Sequence, residues 1–286
     1  MEVTDIKKVG VAGCGIMGGG IAEVAAAANY DVIVMEAGQA LLDNGIEAID
    51  ASLTLSVRRG KLDENGRKAV MGRIRGTLDL KDFADCNLVI EAATENLELK
   101  KRLFRELDKT CKSDAILATN TSCLSIIDMA AVTQRPQKVL GLHFFNPVPA
   151  MKLLEIVKTI ATDDETLRVA RAFGESLGKA VVIAPDIPGF IVNRLLMPFF
   201  LEAIRLVESG QATREDIDRA VMLGLNHPMG PLKLADFVGL DTACFIAEAM
   251  YDEMKDDRFA PPVLLKKMVA AGRYGRKSKK GFYDYG

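Results

Sequence analysis

Residues 7–28 read KKVGVAGCGIMGGGIAEVAAAA, and this stretch decides the architecture. An apolar run, VGVA, enters a cluster of glycines that opens at once into an alanine-rich helical pattern. Gly13, Gly15 and Gly18 stand in the order G-x-G-x-x-G at that strand-to-helix turn. Gly13 permits the tight turn, Gly15 lets a pyrophosphate approach the backbone, and Gly18 lets the helix pack close to the sheet. The helix N-terminus favours the anion. A glycine-rich turn alone has ordinary structural explanations. Here the next apolar run, DVIVME (31–36), closes on Glu36, eighteen residues past Gly18 (36 − 18). That is the spacing of an acid that bonds the adenosine ribose hydroxyls of a dinucleotide. A 2′-phosphate would meet this carboxylate, and EAGQA (36–40) offers no Arg or Lys to compensate, so NAD(H) is favoured over NADP(H).

Outward from this unit the alternation continues. Strand patterns at 87–92 (NLVIEA), 115–120 (AILATN), 138–145 (KVLGLHFF), 152–157 (KLLEIV) and 180–185 (AVVIAP) are interleaved with helical ones. In ENLELKKRLFRELDKTC (95–111), Leu97, Leu103, Phe104 and Leu107 mark one face and the charges the other. Such alternation predicts an α/β fold with a doubly wound, mostly parallel sheet. After PDIPGF (185–190) strand signals almost stop, and helices follow, one of them N-capped by Thr213. The expected division is a nucleotide-binding domain over 1–185 and an all-α domain over 186–286.

Composition narrows the function classes. Lys+Arg number 37 against 39 Asp+Glu, so no general electrostatic pull toward nucleic acid or an anionic membrane is expected. No apolar run approaches the ~20 residues of a membrane helix, and no signal peptide is visible. Five cysteines without a CxxC pair read as reduced thiols, which places the protein in the cytoplasm. With two histidines and no HExxH, no metal site is expected.

One of those histidines, His143, falls at the end of a strand in GLHFFNPVPAMKLLEIV (141–157), and Glu155 follows in the next strand. The strand end lies on the carboxyl side of the sheet, where ligands of such folds bind. The intervening NPVPA is long enough for a reversal that brings the two side chains together. A histidine oriented by a carboxylate is what alcohol oxidation by NAD requires, because hydride leaves the carbinol carbon only as the hydroxyl proton is removed.

This segment, with ATNTSCLSI (118–126), EAATENLELKK (91–101), PGFIVNRLLMPFFLEA (188–203) and GRKSKKGFYDY (275–285), resembles the 3-hydroxyacyl-CoA dehydrogenase family over the whole chain, most closely its short 3-hydroxybutyryl-CoA type. The resemblance implies a Rossmann-like domain followed by the helical one, and NAD-dependent oxidation of (S)-3-hydroxyacyl-CoA. It also implies a homodimer formed through the helical domain, and a setting in fatty acid or butanoate metabolism. By the same resemblance His143 is the general base, Glu155 its orienting acid, and Ser122 a partner of the substrate oxygen. Asn193 is an amide supplied to the substrate from the second domain. Gly13, Gly15, Ile16, Met17, Gly18, Glu36, Ala92, Glu95, Lys100, Asn120 and Asn146 are implied at the cofactor. Ser52 and Arg59 match positions near the nucleotide end of coenzyme A, where a guanidinium suits phosphate. The chain departs from the pattern at Glu36, where many members carry Asp, and at Lys279, where glycine is common.

Cys123, beside Ser122, reads as a small packing residue and not as a nucleophile. Two rival readings differ in kind: a dehydrogenase of a free hydroxy acid or sugar acid, and a non-catalytic crystallin-like protein. The first has no use for Arg59, and the intact Ser122, His143, Glu155 and Asn193 set argues against the second.

Overall fold

A computed structural model describes residues 2–286, which fall into two compact units that divide between Asp186 and Ile187. The strands of the first unit are β1 (Lys8–Ala12), β2 (Asp31–Met35), β3 (Ile74–Thr77), β4 (Leu88–Glu91), β5 (Ile116–Thr119), β6 (Val139–Phe144), β7 (Leu153–Lys158) and β8 (Ala180–Pro185). Its helices are α1 (Ile16–Ala27), α2 (Gln39–Arg58), α3 (Glu64–Met71), α4 (Leu97–Thr110), α5 (Ile126–Ala130) and α6 (Asp164–Ser176).

The eight strands form one sheet in the order β3-β2-β1-β4-β5-β6-β7-β8. Pairing is parallel from β3 to β6, antiparallel between β6 and β7, and parallel again between β7 and β8. Chain order reverses about β1, which lies between β2 and β4, so the crevice beyond the carboxyl ends of β1 and β4 is a switch point where ligands of such sheets bind. The expected doubly wound, mostly parallel sheet is present. Seven of its strands were legible as apolar runs. The eighth, β3, carries Arg75 and Gly76 between Ile74 and Thr77 and pairs only with β2 at the sheet edge, where a strand need not be apolar on both faces.

Alternate residues of the inner strands build the core. Val9, Val11, Val32, Val34 and Ile90 pack in one cluster with Ile21, Ala22 and Ala25 of α1 and with Phe173 of α6. Each such Val, Ile or Phe side chain, removed from water, contributes roughly 1.5–3 kcal/mol. The small residues of α1 let that helix lie close to the sheet. Gly13 sits at φ +109°, and Gly18 lies where a Cβ would collide with the carbonyl of Gly13.

On α4 the buried face is Lys100, Phe104 and Leu107. The reading that set all charges on the outer face therefore needs one correction. Lys100 is turned inward because buried Glu91, the last residue of β4, receives it.

The second unit holds α7 (Val192–Glu208), α8 (Arg214–Gly224), α9 (Pro231–Val238), α10 (Leu240–Met254) and α11 (Val263–Ala270). Thr213 caps α8, accepting the amide of Asp216 at 3.1 Å. Two buried acids organise the rest. Asp218 accepts the amides of Leu232 and Lys233 at the start of α9 and the Tyr283 hydroxyl at 2.8 Å. Asp236 accepts the amides of Phe282 and Tyr283, each at 2.9 Å, and the Tyr285 hydroxyl at 3.0 Å, so the tail is latched onto α9. No helix of the described residues is long and apolar enough to cross a membrane.

Candidate active site

The carboxyl ends of β1, β2, β4, β5 and β6 lie side by side, and each delivers a residue singled out in the sequence. Beyond β1 the glycine turn leads into α1, whose N-cap Gly15 and first residue, Ile16, are exposed. A Cβ built on Gly15 would meet nothing within 4 Å, so the backbone there faces open space. With the helix N-terminus beside it, this is a fitting seat for a pyrophosphate. Beyond β2, Glu36 is held against the same turn. Its Oε1 accepts the Cys14 amide at 2.6 Å and its Oε2 the Ala37 amide at 3.0 Å. An ionised carboxylate has about four acceptor sites, so each oxygen retains capacity for a ribose hydroxyl.

Gly15, Ile16, Glu36, Ser52 and Asn146 line one groove of ≈ 410 Å³. The structure thus brings together two residues expected at the dinucleotide turn, the acid, one residue expected at coenzyme A and one from the β6–β7 loop. Ser52 also bonds Glu23 of α1, whose carboxyl is pushed up by burial and partly restored by that hydroxyl. Arg59 caps α2 two turns further on, outside the groove lining, and is exposed.

A second cluster forms where β4 and β5 end. Glu95 accepts the Ser122 amide at 2.8 Å, the Ser122 hydroxyl at 3.0 Å and the Thr121 hydroxyl at 2.9 Å. Behind it Lys100 Nζ lies 3.6 Å from Glu95 and donates to both oxygens of Glu91 at 2.7 Å. Asn120 accepts the Phe144 amide at 2.9 Å through Oδ1, tying the end of β5 to the residue after His143. Ala92 donates its amide to Ala12 at 2.8 Å and lines the tight turn at Gly13. Met17 and Gly18 sit in the first turn of α1, partly and fully buried.

The third cluster is the histidine. His143 and Glu155 are directly opposite in the antiparallel β6–β7 pairing, and His143 Nδ1 lies 2.7 Å from Glu155 Oε2. His143 is 5% and Glu155 0% exposed, so water does little to weaken the contact. A carboxylate only accepts, so Nδ1 carries a proton toward it and Nε2 is the basic nitrogen. The ring also lies against Phe145, with centroids 4.5 Å apart. This geometry can remove a proton from an alcohol and return it.

Cys123 is buried, and its thiol is pushed up to about 12 by burial and then by the Glu95 charge, which disfavours a thiolate. Asn193 belongs to the second unit, in the first turn of α7, and is buried. Sequence reasoning passed over Glu91, Thr119 and Lys179. Glu91 ends an apolar run much as Glu155 interrupts one, and that signal could have found it. Lys179 bonds the carbonyls of Val148 and Met151, and a lone lysine before a strand gives no such signal.

Residues 8–187 match the family model of the 3-hydroxyacyl-CoA dehydrogenase NAD binding domain, and 189–285 that of the C-terminal domain of the same family. A 3-hydroxybutyryl-CoA dehydrogenase of Mycobacterium tuberculosis is 49% identical over 282 residues, 98% of this chain and 99% of that one. Among solved structures, M. tuberculosis FadB2 is 49% identical with a TM-score of 0.96, covering 98% of this chain and 99% of its own. The (S)-3-hydroxybutyryl-CoA dehydrogenase PaaH1 of Ralstonia eutropha is 39% identical with a TM-score of 0.94, over 99% and 100%. With a glycine-rich turn at the switch point and both halves matched, the chain belongs to the 3-hydroxyacyl-CoA dehydrogenase family of NAD-dependent oxidoreductases.

Proposed function

We propose that the chain interconverts (S)-3-hydroxybutyryl-CoA and acetoacetyl-CoA, with His143 as the proton acceptor and donor and Glu155 as the residue that orients it. The observation that carries this reading is the buried 2.7 Å contact between His143 Nδ1 and Glu155 Oε2, built into the pairing of β6 and β7. NAD, when bound, supplies the hydride acceptor. His143 Nε2 takes the hydroxyl proton as the C–H bond at the carbinol carbon breaks. Glu155 stabilises the imidazolium that forms and keeps the ring in one tautomer. In the reverse direction the imidazolium returns the proton to the alkoxide oxygen.

The same proposal gives Ser122 and Asn193 to the substrate oxygen and Glu36 to the adenosine ribose. Glu95, Lys100, Asn120 and Asn146 are proposed to line the cofactor, and Ser52 and Arg59 to meet the nucleotide part of coenzyme A. It sets the domain boundary after residue 185 and assigns the cofactor to the first domain. Pairing of two copies through the second unit is supported by its exposed apolar side chains, among them Leu195 and Leu223, 71% and 74% exposed. The proposed setting is fatty acid or butanoate metabolism in the cytoplasm. The near-balanced charge of 37 basic and 39 acidic residues supports a partner set without nucleic acid or membrane.

The test is loss of NADH absorbance with acetoacetyl-CoA. His143→Ala should bind NADH as the wild type does, by fluorescence titration, and lose ~10²–10⁴-fold in kcat. Near-normal turnover by that variant, or equal turnover of free acetoacetate by the wild type, would refute the proposal.

A further inference from the structure

We propose that Glu91 is a positioning residue for the reaction, acting through Lys100 and Glu95 on the Ser122 hydroxyl. The inference rests on the reading of Ser122 as a substrate contact.

Glu91 ends β4 in the middle of the sheet and is 0% exposed. Its carboxylate is fully engaged. Oε1 accepts the Ala93 amide at 2.8 Å, Oε2 accepts the Thr119 hydroxyl at 2.6 Å, and both accept from Lys100 Nζ at 2.7 Å. Lys100 is itself 1% exposed and occupies the core-facing stripe of α4, where a leucine would pack. A buried ion pair is a poor way to stabilise a fold, because a well-packed apolar replacement does at least as well. Its position suggests what else it does.

The ammonium is shared. It lies 2.7 Å from Glu91 Oε2 and 3.6 Å from Glu95 Oε2, so Glu91 holds it and Glu95 feels it at longer range. Glu95, with 29% of its side chain exposed, then keeps its other oxygen for Ser122, whose amide and hydroxyl both donate to Oε1. Two carboxylates around one ammonium compete for it. Removing the charge of Glu91 leaves Lys100 with Glu95 as its single carboxylate partner in this cluster. The ammonium moves toward Glu95 and draws that carboxylate away from the serine. Glu91 therefore decides where Glu95 points, and Glu95 decides where the Ser122 proton points.

Glu91→Gln keeps the shape and removes the charge. Four full-length proteins are compared by kcat with acetoacetyl-CoA and NADH, at a temperature well below each measured Tm: wild type, Glu91→Gln, Ser122→Ala and the double variant. The expected result is a kcat loss of about tenfold or more from Glu91→Gln in the wild-type background. The same change should cost less than threefold in the Ser122→Ala background, where no hydroxyl is left to misplace. A loss under threefold in the wild-type background overturns the proposal, as does a loss of threefold or more in both backgrounds. A core residue with a purely structural role would lower Tm without this dependence on Ser122. Near-normal kcat for Ser122→Ala alone would show instead that the reading of Ser122 is wrong, and the proposal would fall with it. If Glu91→Gln does not yield folded protein, Glu91→Asp, which draws the carboxylate back from Lys100 by one methylene, goes through the same cycle with the same criteria.

Discussion

Lys279 shows what one residue can cost. It stands in the tail at φ 59°, in the left-handed region, where a side chain crowds its own backbone. Its amide donates to Arg276 and its carbonyl accepts from Tyr285, so the turn is fully used and the strain is local. Glycine at this position removes the crowding at some expense in chain entropy. Lys279→Gly should therefore raise stability by about 0.5–1 kcal/mol without altering kcat. Urea unfolding monitored by circular dichroism would measure it, and an unchanged or lower midpoint at equal m-value would refute the account. Glu36 is a different case. Its longer arm compared with Asp does not leave it loose, because the Cys14 and Ala37 amides hold both oxygens at the glycine turn.

At the scale of elements, the loop between β6 and β7 is held from beneath by Lys179. The ammonium, 8% exposed, donates to the carbonyls of Val148 at 2.6 Å and Met151 at 2.7 Å. Burial holds its pKa below the ordinary lysine value. Lys179→Met fills similar volume and leaves both carbonyls without that donor, at a cost of roughly 1–3 kcal/mol for each buried group left unsatisfied. The variant should melt several degrees lower and show a raised KM for NADH, since Asn146, Pro147 and Val148 of this loop line the groove proposed for the cofactor. A normal melting temperature with a normal KM would show that the loop needs no such support. Elements of this kind also mark the limit of sequence reading. The glycine turn, Glu36, His143 and Glu155 were legible because each sits in a strand or turn whose period is unmistakable. β3 was not, because an edge strand with Arg75 and Gly76 carries no apolar run. Lys100 was read to the cofactor while its main partner, Glu91, was missed. A pattern of charges on a helix says which residues are polar and not which of them is paired inside.

Across the whole molecule the five cysteines, all buried, form a distributed sensor of the folded state. Burial, the largest cause at each site, pushes Cys14, Cys111 and Cys244 up to about 11 and Cys86 and Cys123 up to about 12, from an ordinary value of 9.0. A thiol whose pKa is raised by folding keeps its proton in the native state while the unfolded chain loses it. The stabilisation is complete below pH 9 and is lost as pH rises from there through 11–12. Each thiol adds a slope of up to about 1.4 kcal/mol per pH unit in that window. Stability measured in urea from pH 8 to 10.5 should therefore stay level at first and fall above pH ~9. Iodoacetamide should label none of the five in the native protein at pH 8 and all of them in denaturant. A flat profile, or rapid native labelling, would contradict this.

The pairing of β6 with β7 has one more consequence, for how such an enzyme diversifies. His143 and Glu155 face each other across two strands and belong to no loop. A slip of one residue in that register would turn Glu155 to the opposite face, so a chain that forms its sheet correctly has already formed the contact between His143 and Glu155. Mutational drift in the connecting segments can then proceed without having to reassemble that contact. Innovation is left to the loops, and inheritance to the sheet.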